Sequence, residues 1–280
     1  MNKIPHPLYR IFWLSIAINC LGFTFAVFFA YQRRTVIMKE LGSMLGISSI
    51  PYERELALFN NDPLEAQNEF LDIGVDTTVT FLFLGNSITY TDASEEDVNK
   101  EKRGLASTSK ENDYVHRLVQ LIANNDSVNV DYSIINIADF ERGFISQSFS
   151  SSKLLNAKNQ KPQYLVVQIG ENVAEDDLAD SKKYELEYLK LLSFFPNSKK
   201  IITIPFWPSK EKEYITTRIA IKGKALLVDL SHLGNGTDVN NFAYSQMDYR
   251  NRGVGLHPGD YAMKNIADMI YAGYNAIKDY

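Results

Sequence analysis

The sequence predicts an α/β fold, a three-layer α/β/α domain built on a mostly parallel sheet and preceded by one transmembrane helix. Three observations lead there. A run near the N-terminus carries no charge over 21 residues. Beyond it, short apolar stretches alternate with longer stretches of helical periodicity, the pattern of strands joined by covering helices. The short stretches are apolar at almost every position, as expected where a parallel sheet is buried on both faces.

Composition sets the outer limits. The 280 residues suit one domain with an appendage. With 45% hydrophobic and 22% charged residues the chain has the apolar material for a core, which excludes disordered and low-complexity classes. A net charge of −5 without a basic block removes the electrostatic footprint of a nucleic-acid binder. Cys20 is the sole cysteine, so neither an internal disulfide nor a cysteine-based zinc site is available.

In chain order, residues 1–10 form an N-terminal tail. Ile11–Tyr31 is long enough, at 1.5 Å per residue, to cross a bilayer core of about 30 Å. A buried core helix and a cleaved signal peptide are the alternatives; the run exceeds a signal h-region and lacks a small-x-small cleavage site. Lys3 and Arg10 precede it while Arg33, Arg34 and Lys39 follow, so the charge count hardly distinguishes the two orientations. Residues 32–75 read as a juxtamembrane stalk, with helical patterns at Val36–Leu45 and Tyr52–Leu71 broken by glycines and prolines.

Residues 76–280 carry the α/β alternation. Strands are expected at Thr78–Leu84, Val128–Asn136, Tyr164–Ile169, Lys200–Pro205 and Ala225–Leu230. Helices are expected at Asp113–Ala123, Ser181–Phe194, Glu211–Lys222 and Asp260–Lys278. In such a sheet ligands collect at the carboxyl ends of the strands, so the polar residues just after each strand carry the most information.

After the first strand stands Gly85-Asn86-Ser87-Ile88-Thr89, a serine on a tight turn that would serve as a nucleophile if a base reached it. His257, in Gly255-Leu256-His257-Pro258-Gly259-Asp260 before the last helix, is the candidate base. Gly170-Glu171-Asn172 follows the middle strand and offers an amide to a developing oxyanion. Each has an ordinary alternative as a turn, a helix start or a loop.

Together, and in this order, these segments resemble the blocks of the SGNH (GDSL-like) hydrolase family over about Val79 to Ile277, in the branch whose first block reads Gly-Asn-Ser-Ile-Thr. Arg103-Gly104-Leu105-Ala106-Ser107 with Glu111-Asn112-Asp113-Tyr114-Val115-His116 resembles the segment that follows that block. The resemblance implies a flavodoxin-like sheet, Ser87 as nucleophile with its own amide in the oxyanion hole, Asn172 as a second oxyanion donor and His257 as base. Asn86 stands where the family more often has aspartate. The family's second-block glycine aligns with Glu141, close to Gly143, so a backbone amide near Glu141 is the expected third donor. Val254 stands three residues before His257, where many members have the triad aspartate. Glu171, Asp248 and Asp260 are the carboxylates that could replace it, and a Ser-His dyad steered by a backbone carbonyl is the other arrangement. His116 is a second histidine with an aspartate three residues before it; a structural role fits it better.

The resemblance implies an ester hydrolase needing no metal or organic cofactor. The expected substrate is an acylated, in particular acetylated, small molecule or glycan, or a lipid-linked sugar. The chain would be held in a membrane by residues 11–31 with the catalytic domain on the extracytoplasmic side. The competing expectations are a catalytically weak or inactive module that binds glycan or a partner protein, and an acyltransferase using the same serine.

Overall fold

The alternation of side chains along the strands decides the layering. In the computed structural model, which describes residues 66–91, 101–144 and 152–279, the apolar runs form one six-stranded sheet. In chain order the elements are β1 (Gln67–Leu71), β2 (Thr78–Gly85), α1 (Tyr114–Asp126), β3 (Asn129–Asn136), α2 (Ala138–Gly143), α3 (Ser152–Asn159) and β4 (Tyr164–Gln168). They continue with α4 (Ser181–Ser193), β5 (Lys199–Ile204), α5 (Lys210–Gly223), β6 (Leu226–Asp229), α6 (Arg252–Gly255) and α7 (Asp260–Ile277).

The sheet order is β1-β3-β2-β4-β5-β6, with β1 antiparallel to β3 and every other pair parallel. Successive residues of a strand face opposite sides. Phe81, Phe83, Ile134 and Val166 therefore pack against α1 and α7, whereas Leu82, Leu84, Ile135 and Leu165 pack against α2, α3, α4 and α5. Each such fully buried side chain contributes roughly 1.5–3 kcal/mol relative to exposure. The five parallel strands taken alone have the flavodoxin-like order 2-1-3-4-5. The order reverses between β2 and β4, and Gly85-Asn86-Ser87 and Gly170-Glu171-Asn172 follow the carboxyl ends of these two strands, the place where ligands collect in such sheets.

The expected strands and long helices from residue 76 onward lie within a few residues of those observed. The expected helix over Tyr52–Leu71 does not hold where it enters the described residues, because Gln67–Leu71 is strand β1. The stalk expected over 32–75 thus gives up its last part to the sheet. The reason is chemical: the partly buried positions of β1 are Gln67, Glu69 and Leu71, so its inner face is largely polar. Those polar groups find partners in Tyr90, Tyr132, His116 and Lys110 rather than in water. Periodicity does not predict the short helices α2 and α3. The membrane span expected at 11–31 lies outside the described residues, among which no helix is long and apolar enough to cross a membrane.

Candidate active site

Strand β2 ends at Gly85 and the chain folds back at once. The Asn86 carbonyl accepts from Thr89 N at 3.0 Å and Tyr90 N at 2.9 Å, and the Asn86 side-chain oxygen accepts from Ile88 N at 3.1 Å. A Cβ on Gly85 would overlap the Thr89 side chain, so this tight reversal needs glycine. Thr89 is anchored in turn, its Oγ1 donating to Gln168 Oε1 at 3.0 Å. The result is a turn held by hydrogen bonds that sets Ser87 just beyond the carboxyl end of β2. Among the described residues the Ser87 N–H donates to no acceptor.

His257 comes from the other end of the chain. Asn251 supplies the local cap: its side chain accepts from Gly253 N at 2.8 Å and starts the short helix α6. His257 follows α6 closely and is only 1% exposed. Its carbonyl accepts from Ala243 N at 2.9 Å, which fixes the loop, and the Trp207 ring meets the imidazole edge-on at 5.3 Å.

The structure brings Ser87 and His257 together across 170 residues, with Ser87 Oγ 3.0 Å from His257 Nε2. Nδ1 lies 2.8 Å from the Gly253 carbonyl oxygen. A carbonyl only accepts, so Nδ1 carries the hydrogen and Nε2 presents its lone pair to the Ser87 hydroxyl. Burial pushes the His257 pKa down to about 4, with the Gly253 carbonyl offsetting part of that shift. The imidazole is therefore neutral, the form that accepts a proton.

Among the described residues no carboxylate contacts the His257 ring, which corrects the expected acid partners. Asp248 is exposed. Asp260 accepts from Thr108 N at 2.8 Å. Glu171 points elsewhere: its Oε1 accepts from Gln168 Nε2 at 2.6 Å and Phe206 N at 2.8 Å, and its Oε2 from Asn86 Nδ2 at 2.7 Å. Val254, at the position of the missing aspartate, packs with Leu105, Ala106 and Ala243 in a small apolar cluster.

Glu141 enters the site by its side chain, not by the backbone amide expected there. Its position in α2 puts its N–H in the helical ladder. Its fully buried carboxylate accepts from Gly170 N at 2.6 Å and Asn172 N at 3.1 Å through Oε1, and from Asn172 Nδ2 at 2.7 Å through Oε2. Gly170 holds φ at +125°, and a Cβ there would meet Pro205 Cγ at 2.5 Å, so glycine alone brings this amide onto the carboxylate. One Asn172 amide hydrogen is thus engaged by Glu141, which fixes the side chain and leaves the second for a ligand. Burial, and then the charge of Glu171, raises the Glu141 pKa; burial likewise raises that of Glu171.

Residues 103–107 join the two halves of the site. Leu105 N donates to the Ser87 carbonyl at 2.7 Å, while the Ala106 carbonyl accepts from Gln246 Nε2 at 3.0 Å and Tyr249 OH at 3.1 Å on the histidine side. His116 is elsewhere. Its Nδ1 is 2.8 Å from Asp113 and its Nε2 3.3 Å from Glu69 of β1.

No family model matches the chain, and no curated protein matches it. Solved structures similar to it include a GDSL-like lipase from Parabacteroides merdae, at 15% identity, covering 72% of this chain and 99% of that one with a TM-score of 0.46. A lipase/acylhydrolase from Enterococcus faecalis matches at 15% identity over 71% and 96% of the two chains, TM-score 0.46. A family 3 carbohydrate esterase from Clostridium thermocellum matches at 16% identity over 72% and 97%, TM-score 0.46.

The Gly253 carbonyl and the side chains of Glu141 and Gln168 are the parts of the site that the sequence does not reveal. A backbone acceptor leaves no mark in a sequence. A glutamate in a short helix has no pattern that announces burial.

Proposed function

We propose that the chain is a serine ester hydrolase of the SGNH type that works through a Ser87-His257 dyad. The observation that carries this reading is the 3.0 Å contact between Ser87 Oγ and His257 Nε2, with Nδ1 held by the Gly253 carbonyl. Ser87 Oγ attacks the ester carbonyl carbon as Nε2 takes its proton. The oxyanion lies against the Ser87 N–H and the second amide hydrogen of Asn172. The imidazolium returns its proton to the departing alkoxide, and water then releases the acyl group by the same route in reverse roles.

A carbonyl in place of a carboxylate fixes the tautomer but supplies no charge to the imidazolium. An acid that performs both tasks is worth about 10⁴ in rate in a serine protease, so this dyad is a slower catalyst. A non-catalytic glycan- or protein-binding module is the second reading, favoured by that missing carboxylate. Acyl transfer to a sugar hydroxyl would use the same serine.

The proposed substrate is an acyl, in particular acetyl, ester on a glycan or lipid-linked sugar. The support is the family resemblance together with the charge-free run at 11–31, which is proposed to anchor the chain with its catalytic domain outside the cytoplasm. Alkaline extraction of membranes should leave the full chain in the pellet; its release would remove the anchor. The full chain should hydrolyse a small activated acetate ester, and Ser87→Ala and His257→Ala should each fall to background. Turnover by both variants at the wild-type rate would overturn the dyad.

A further inference from the structure

The carboxylates of Glu141 and Glu171 take no part in those proton transfers, yet both are hydrogen-bonded to the residue beside Ser87. We infer, building on the esterase reading of the same site, that Asn86 is a positioning residue whose uncharged amide allows two buried glutamates to sit beneath the nucleophile turn.

Asn86 is fully buried. Its Nδ2 donates to Glu171 Oε2 at 2.7 Å and to Glu141 Oε1 at 3.3 Å, while its Oδ1 accepts from Ile88 N inside the turn. It gives hydrogens to two acceptors and an oxygen to one donor, a combination that an amide supplies and a carboxylate does not. The remaining partners of the two carboxylates are N–H groups of Gly170, Asn172, Gln168 and Phe206 and the backbone amide of Glu171 itself. The charged and titratable groups nearby are Lys212, which favours the ionised form of Glu171, and the buried hydroxyls of Tyr114, Tyr184 and Tyr188.

An aspartate at position 86 would keep the contact to Ile88 N but aim an acceptor at two acceptors. Three adjoining buried carboxyls cannot all ionise. The folded protein would then hold a proton that the unfolded chain releases, so stability would fall as pH rises above the ordinary carboxylate range. The residue that gives the more common Gly-Asp-Ser triplet would therefore harm this protein. Changing Glu171 to glutamine at the same time restores the shorter of the two contacts and removes one of the three carboxyls: the glutamine amide donates to the introduced carboxylate while its oxygen still accepts from Gln168 and Phe206.

The test compares full-length wild type, Asn86→Asp, Glu171→Gln and the double variant, assayed on an activated acetate ester and melted between pH 5 and 8. Asn86→Asp should lose about tenfold or more in kcat/KM at pH 8, lose less at pH 5, and show a Tm that falls with pH relative to wild type. The double variant should exceed Asn86→Asp in both respects at pH 8. An Asn86→Asp protein equal to wild type at pH 8, or a double variant no better than it, overturns the inference. If wild type hydrolyses nothing, the esterase reading fails separately and melting decides: a pH-dependent loss relieved by Glu171→Gln supports the amide requirement, and a pH-independent loss overturns it.

Discussion

Among single residues, the site depends on which atom faces which lone pair. His257 presents a free Nε2 lone pair to Ser87, as the proposed base must, because the Gly253 carbonyl takes its Nδ1 hydrogen and burial keeps the ring neutral. Its pKa of about 4 gives the sign of a pH effect: the neutral base is present above that value and lost below it. The acid limb of kcat/KM should therefore have its midpoint near pH 4, read from ester hydrolysis across about pH 3–8. A midpoint between about 6 and 7 would show an ordinary histidine and contradict the account of a ring kept neutral by burial. Ser87, His257 and Asn172 are legible in the sequence because each stands beside an element that the sequence reveals. Glu171 is legible as a residue but not in its role, since only the folded chain shows that its carboxylate faces Asn86 rather than the imidazole.

Among the elements, β1 is the least legible and the most informative. Its Glu69 accepts from Tyr132 OH at 2.7 Å and pairs with Lys110 at 2.7 Å and His116 at 3.3 Å, fastening the edge strand to α1. Burial opposes the charge on His116, but hydrogen bonds to Asp113 and Glu69 raise its pKa to about 9. Partial burial likewise opposes the charge on Glu69, yet His116, Lys110 and Tyr132 hold it well below the usual carboxylate range. The histidine's contribution is fully present below its unfolded pKa of about 6.5 and lost as pH rises through about 9. His116→Ala should cost about 2 kcal/mol at pH 6 and clearly less at pH 10, measured by urea unfolding. An equal cost at both values would assign His116 to packing alone. Periodicity reveals the long helices and buried strands because apolar faces carry that signal. It misses β1 because hydrogen bonds, not apolar side chains, fill its inner face.

Across the whole molecule, topology makes a site from distant parts of the sequence. The strand order reverses between β2 and β4, so the segments that carry Ser87 and Asn172 leave adjacent parallel strands at the same end of the sheet. The segment at 103–107 ties the Ser87 turn to the loop around Gln246 and Tyr249, close to His257. Everything proposed for the site depends on this assembly making Ser87 a nucleophile through His257. Labelling decides it: the full chain is treated with a fluorophosphonate, the adduct is located by peptide mass spectrometry, and the reaction is repeated with His257→Ala. The expected result is a single modified serine, Ser87, whose labelling rate drops by at least about 10²-fold in the variant. Absence of an adduct on Ser87, or equal labelling without His257, would contradict it.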